Sequence, residues 1–237
     1  MTLARLPIIE SQEVVHVGEL DPTKKQSLSY EGRCLSVSMV PTSWAEIARL
    51  GDTGFILSGR GRFFNALALE PAERVTVLNW ATNEGFLQFK EIARLRILDT
   101  EIDQWSYSDY ASMSEAEAET EYMDEENFRL ETRLAHIATE KLTLVAGYQT
   151  RTMVSSGTSF DLALIEYVSR HFDVDGVWWD EKLDVAALSA PRGAIFPERV
   201  SEFAARPATW EEMTLFESEY LSDGIDLESY MRTNGLL

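Results

Sequence analysis

The chain has one cysteine, Cys34, and three histidines, His16, His136 and His171, in 237 residues. A single thiol forms no intramolecular disulfide and builds no multi-cysteine metal site. The histidines lack ligand spacing, so no metal ligand is expected. No apolar run reaches the roughly 20 residues that span a bilayer. The opening stretch, MTLARLPIIESQEVV, meets Glu10 and Glu13 too soon for a secretory leader. A cytoplasmic protein without a membrane partner is therefore expected. Positive charge is also scarce: 21 Lys and Arg stand against 40 Asp and Glu, a formal net charge of −19. Such a field opposes approach to nucleic-acid phosphates, so direct nucleic-acid binding is not expected. It favours a protein partner with a basic surface, or it serves solubility alone. No phosphate loop or nucleophile motif is present.

Apolar residues make up 45% of the chain and aromatics 11%, enough for a sizeable core. The pattern predicts an α+β fold of mainly antiparallel sheets flanked by helices. A single domain over residues 1–207 is expected, with an acidic amphipathic helical tail over 208–237 packed on it. That tail carries Trp210, Met213, Phe216, Tyr220 and Leu221 on one face.

Strands are expected over 30–39, 53–57, 74–80, 86–98, 177–179 and 194–196, with a short strand region around Val14, Val15 and Val17. RVTVLNW (74–80) alternates most cleanly, and a turn at Asn83-Glu84-Gly85 follows it. Helices are expected over 43–50, 114–140 and 161–172. Ser43 with Glu46 offers a capping box, Asp161 a cap for the late helix, and Phe128, Leu130, Leu134 and Ile137 an apolar helix stripe. Gly59-Arg60-Gly61-Arg62 suggests a flexible basic loop. Trp44, Leu78, Ile165, Val177 and Ile195 are the expected core. The run Glu115–Glu126 holds seven carboxylates and no base, either a solvated helix face or a site for a basic partner.

The most organised stretch runs from Phe160 to Phe203: helix, short strand VWW, charged loop, then Ser189-Ala-Pro-Arg-Gly193 before a second short strand. Trp178 and Trp179 point to opposite faces of an extended strand, so one enters the core and the other is free to stack on a flat ring. Asp180 and Glu181 at the strand end are candidate catalytic acids, able to stabilise an oxocarbenium-like centre. Arg192 could present its guanidinium to a phosphate or pair with a local acid. Upstream, Tyr30, Arg33, Ser58 and Arg60 lie beside glycines at strand ends, a setting that suits an anionic ligand.

Tyr30-Glu31-Gly32, Gly54-Phe55-Ile56-Leu57-Ser58 and Phe172-Asp173-Val174-Asp175-Gly176-Val177 stand in the order of three motifs of the ADP-ribosyltransferase fold. The chain resembles that family, of phage or mobile-element type, over about a third of its length. The resemblance implies NAD as cofactor and modification of a protein target. Tyr30, Arg33, Ser58, Arg60, Trp178 and Arg192 would hold the cofactor, and Asp180 or Glu181 would act as the acid. Two departures stand against it. Glu31 occupies the position of a dinucleotide-gripping histidine or arginine, and Arg192-Gly-Ala-Ile-Phe196 carries no acid where the family's catalytic glutamate lies. The alternative is a non-catalytic acidic protein that blocks the basic surface of a nucleic-acid-binding partner.

Overall fold

The computed structural model describes residues 7–20, 31–100, 104–147, 155–185 and 189–224. It is α+β with mainly antiparallel strands, and the chain divides into two compact units. One comprises residues 25–33 and 70–170. The other comprises 2–24, 34–69 and 171–237, a finer division than one body over 1–207.

The second unit is built on a closed ring of five strands. β1 (Ile8–Val17) pairs with β2 (Leu35–Ser38), β2 with β8 (Arg192–Ile195), β8 with β7 (Gly176–Trp179), β7 with β3 (Gly54–Asn65), and β3 returns to β1. Only β3 and β7 run parallel. Parallel neighbours need a long crossover, and here residues 70–170 of the other unit are inserted between them. A ninth strand, β9 (Ala204–Ala208), pairs with β3.

Alternation sorts the ring into inside and outside. Val14, Leu35, Val37, Leu57, Phe63, Trp178 and Ile195 pack together inside, and Gly193 lies against the Trp178 ring. The expected loop at 59–62 is strand instead. Gly59 leaves space for Phe203 and Gly61 for the Phe63 ring, so these glycines serve packing and not flexibility. Gly59 and Arg60 together stand opposite Gln12, a β-bulge.

Outside the ring, Val15, Val17 and Ile56 pack with Ala45 of α1 (Pro41–Ala48) and Met213 of α6 (Trp210–Gly224). The expected capping box at Ser43 and Glu46 does not form. Glu217, buried on α6, accepts from the backbone N–H groups of Thr42 (2.8 Å) and Ser43 (3.1 Å) and from both hydroxyls. One carboxylate thus satisfies the orphan donors of α1 and ties the acidic helix to it. Residues 225–237 of the expected tail lie outside the described residues.

The first unit carries a three-stranded antiparallel sheet in the order β5 (Gln104–Tyr110), β4 (Leu87–Asp99), β6 (Phe128–Ala138). α3 (Met113–Ala118) packs Ala116 against Ala93 and Leu95 on one face. α4 (Glu140–Val145) and α5 (Ser156–His171) complete the unit, and Leu142, Leu162 and Ala163 close over Ala81, Phe86 and Leu87.

Three expectations fail here. Residues 74–80 are not a strand but lie in α2 (Pro71–Asn83). Val77, Leu78 and Ala81 form a helical stripe facing the core, whereas Val75 is 54% exposed. The helix is announced at 70–73, where Glu70 and Glu73 form a reciprocal capping box and Pro71 takes the first turn. The helix expected over 114–140 ends at Ala118, and Phe128–Ala138 is a strand. Its apolar residues divide between the two sheet faces: Phe128 and Leu130 sit near Leu95, Ala135 and Ile137 near Ile92. The late helix starts at Ser156, so Asp161 is inside it and caps nothing. Of the expected core, Trp44, Ile165, Val177 and Ile195 are buried, and Leu78 is partly buried.

Candidate functional site

Trp178 enters the ring interior and packs at 5.5 Å from Phe63, so it offers no face to a ligand. Trp179 points outward. The Arg192 guanidinium lies 4.6 Å from its ring centroid and 6.0 Å from that of Trp44. Glu181 approaches the same guanidinium at 3.8 Å, and its carboxylate accepts from the Ser189 hydroxyl at 3.2 Å. Arg192 is thus a nearly buried cation flanked by two indoles and met by the Glu181 carboxylate, an arrangement that holds the loop after β7 in place. Asp180 is exposed. Burial, followed by the Asp180 charge, pushes the Tyr220 phenol up.

The remaining expected cofactor residues do not join them. On β3, the Ser58 hydroxyl donates to Glu13 (2.7 Å), and Arg60 grips Glu10 with both oxygens at 3.0 and 3.2 Å. Ser58 lies beside β9, whereas Trp178 pairs with Asn65, seven residues further along β3 and about 23 Å along an extended strand. Arg33 belongs to the other unit and pairs with buried Glu166 at 3.5 Å; Glu166 also binds Arg170 at 3.2 Å. Tyr30 lies outside the described residues. The structure therefore brings together Asp180, Glu181 and Arg192, and it commits Ser58, Arg33 and Arg60 to acids of their own unit.

Three features were missed from sequence. Arg94, nearly buried, donates Nε–H to Asp109 at 2.7 Å and a second N–H at 3.0 Å, and it reaches the Ser156 hydroxyl at 3.0 Å. Asp109 also accepts from the Ser156 backbone N–H, so this pair anchors the start of α5. Burial works against the Asp109 charge, but the hydrogen bonds from Arg94 and Ser156 outweigh it and hold the carboxyl below its ordinary range. Second, Arg96 and Arg129 face each other across β4 and β6, both over the Trp105 ring. Reading 128–138 as a helix hid that register. Third, Tyr122 is 93% exposed within the acidic run 115–126, whose seven carboxylates are all exposed.

Among the described residues no group of three or more His, Cys, Asp or Glu could hold a metal ion, and no helix is long and apolar enough to cross a membrane. No family model, curated protein or solved structure matches the chain.

Proposed function

We propose that the chain is a non-catalytic binding protein whose acidic surface engages a protein partner with a basic surface. The observation that carries this reading is Tyr122, 93% exposed among the carboxylates of 115–126. A solvated charge run needs no such residue. A rigid amphipathic ring amid acids is the composition of an interface anchor: the carboxylates supply steering and the phenol supplies contact area. The engagement of Ser58, Arg60 and Arg33 with internal acids supports it further, because little is left to grip a pyrophosphate.

The NAD-dependent transferase remains as a second reading, favoured by one observation. Helix α5, strand β7, the acidic loop and strand β8 occur in the order that the resemblance implies, with Glu181 beside Arg192.

A labelled deca-lysine peptide separates the readings. Neutralising Glu117, Glu119, Glu121 and Asp124 together should weaken binding much more than neutralising the exposed acids Glu84, Glu198, Glu211 and Glu219, which changes net charge equally. Tyr122→Ala should weaken binding without altering its salt dependence. Equal losses in the two charge variants would reduce the surface to a bulk field effect and sink the proposal. NAD consumption abolished by Glu181→Ala or Asp180→Ala would establish the second reading instead.

A further inference from the structure

We propose that the exposed end of one face of the three-stranded sheet, centred on Arg96, Trp105 and Arg129 and continuous with the buried Arg94–Asp109 pair, is a docking site for an acidic segment of a partner protein. It does not include the acidic run, which ends at Glu126 just before β6 begins.

Arg96 and Arg129 are directly opposed residues of β4 and β6. Like charges at opposed positions destabilise a ladder, since their Cα atoms are only about 5 Å apart. In a chain with 40 acids against 21 bases, a carboxylate partner for each would be easy to supply. Arg33, Arg60, Arg94, Arg170, Arg192, Arg199 and Arg206 each have one. Among the described residues Arg96 and Arg129 have none, nor do Arg49, Arg62, Arg74 and Arg133, but of these it is Arg96 and Arg129 that stand directly opposite one another in a ladder. They share the Trp105 indole, with guanidinium carbons 5.2 and 5.3 Å from its centroid. The indole orients both cations without neutralising either, which leaves two aimed guanidiniums for one incoming anion.

The surroundings fit a protein ligand. Tyr107, 51% exposed, lies on the same face two residues from Trp105, and Arg133 is exposed two residues beyond Glu131. Arg, Trp and Tyr are the residue types that dominate interface energetics. Glu131 lies on this face opposite Arg94, and its charge acts on that buried guanidinium. Two charge considerations select the occupant. The two guanidiniums demand an anion. The net charge of −19 penalises a nucleic-acid strand at every phosphate along its length, whereas a segment with a few carboxylates among apolar residues pays far less.

The test uses the full chain with two labelled probes: a peptide carrying a few glutamates among phenylalanines, and a single-stranded deca-thymidylate. The peptide should bind, quench Trp105 fluorescence and lose about ten-fold or more in affinity on Arg96→Gln or Arg129→Gln. Those variants should keep or raise the melting temperature, because they relieve a like-charge pair; a merely structural role would lower it. Tighter binding of deca-thymidylate than of the peptide would make this a nucleic-acid face and overturn the proposal. So would no peptide binding at millimolar concentration, or unchanged affinity in the arginine variants.

Discussion

A Cβ built on Gly193 would stand 2.4 Å from Cε3 and 2.7 Å from Cζ3 of Trp178, inside the closed ring. The indole packs in that interior with Phe63, Leu35 and Ile195. Gly193→Ala should therefore overpack the ring and cost about 1–3 kcal/mol in urea unfolding. Coupling gives the sharper measurement. Combined with Trp178→Leu, which vacates the contested volume, the alanine should cost much less than it does alone. Strict additivity of the two would show that strain at this contact is not the cause. The same geometry decides how Arg192 is used. With Gly193 turned inward, Arg192 faces outward onto Trp179, where Glu181 meets it.

Among the elements, α5 depends on a carboxylate that belongs to another strand. Asp109 of β5 has a fully buried side chain and takes hydrogen bonds from Arg94 and from the Ser156 backbone. Asp109→Asn removes the charge and leaves the Arg94 guanidinium buried without its partner, which should cost about 3–5 kcal/mol at neutral pH. The folded-state pKa of Asp109 lies below its unfolded value, so its stabilisation is present above about pH 4 and is lost as pH falls through the lower folded value. The gap between wild type and Asp109→Asn should therefore close in acid. A gap that stays constant from pH 7 down to acid unfolding would contradict the assignment.

Some of these elements are legible in the amino-acid sequence and others are not. VWW forms a strand because β-branched and aromatic residues between Gly176 and the charged loop leave little else, and Trp178 and Trp179 alternate in and out as their spacing requires. RVTVLNW misled because a helix whose outward face includes Val75 imitates a period of two, while the capping box at 70–73 carried the correct signal. The candidate site was less legible. Arg192 and Glu181 meet through a local loop, and their proximity in sequence reports it. Ser58 and Arg60 are joined to Glu13 and Glu10 by strand register, and the Arg96–Arg129 pair is set by the β4–β6 ladder. Register depends on long-range pairing that no local pattern specifies.

For the whole molecule, the governing quantity is the excess of acid. A net charge of −19 at pH 7 repels itself in the compact state, and an isoelectric point of about 4.5 means that acidification removes this repulsion. Loss of the Asp109 contribution opposes that gain, but only below about pH 4. At low ionic strength the urea midpoint should thus rise as pH falls from 7 toward 4.5, then drop steeply. At about 0.5 M salt the Debye length shrinks well below its ~10 Å value at 0.1 M, and the repulsive term is largely screened. The rise should then disappear, leaving a plateau that ends in the same acid drop. Paired urea titrations across pH at the two salt concentrations measure both effects. A low-salt midpoint that falls monotonically from pH 7 would mean that local partners, such as Arg94 for Asp109, govern the pH dependence, and that net repulsion contributes little.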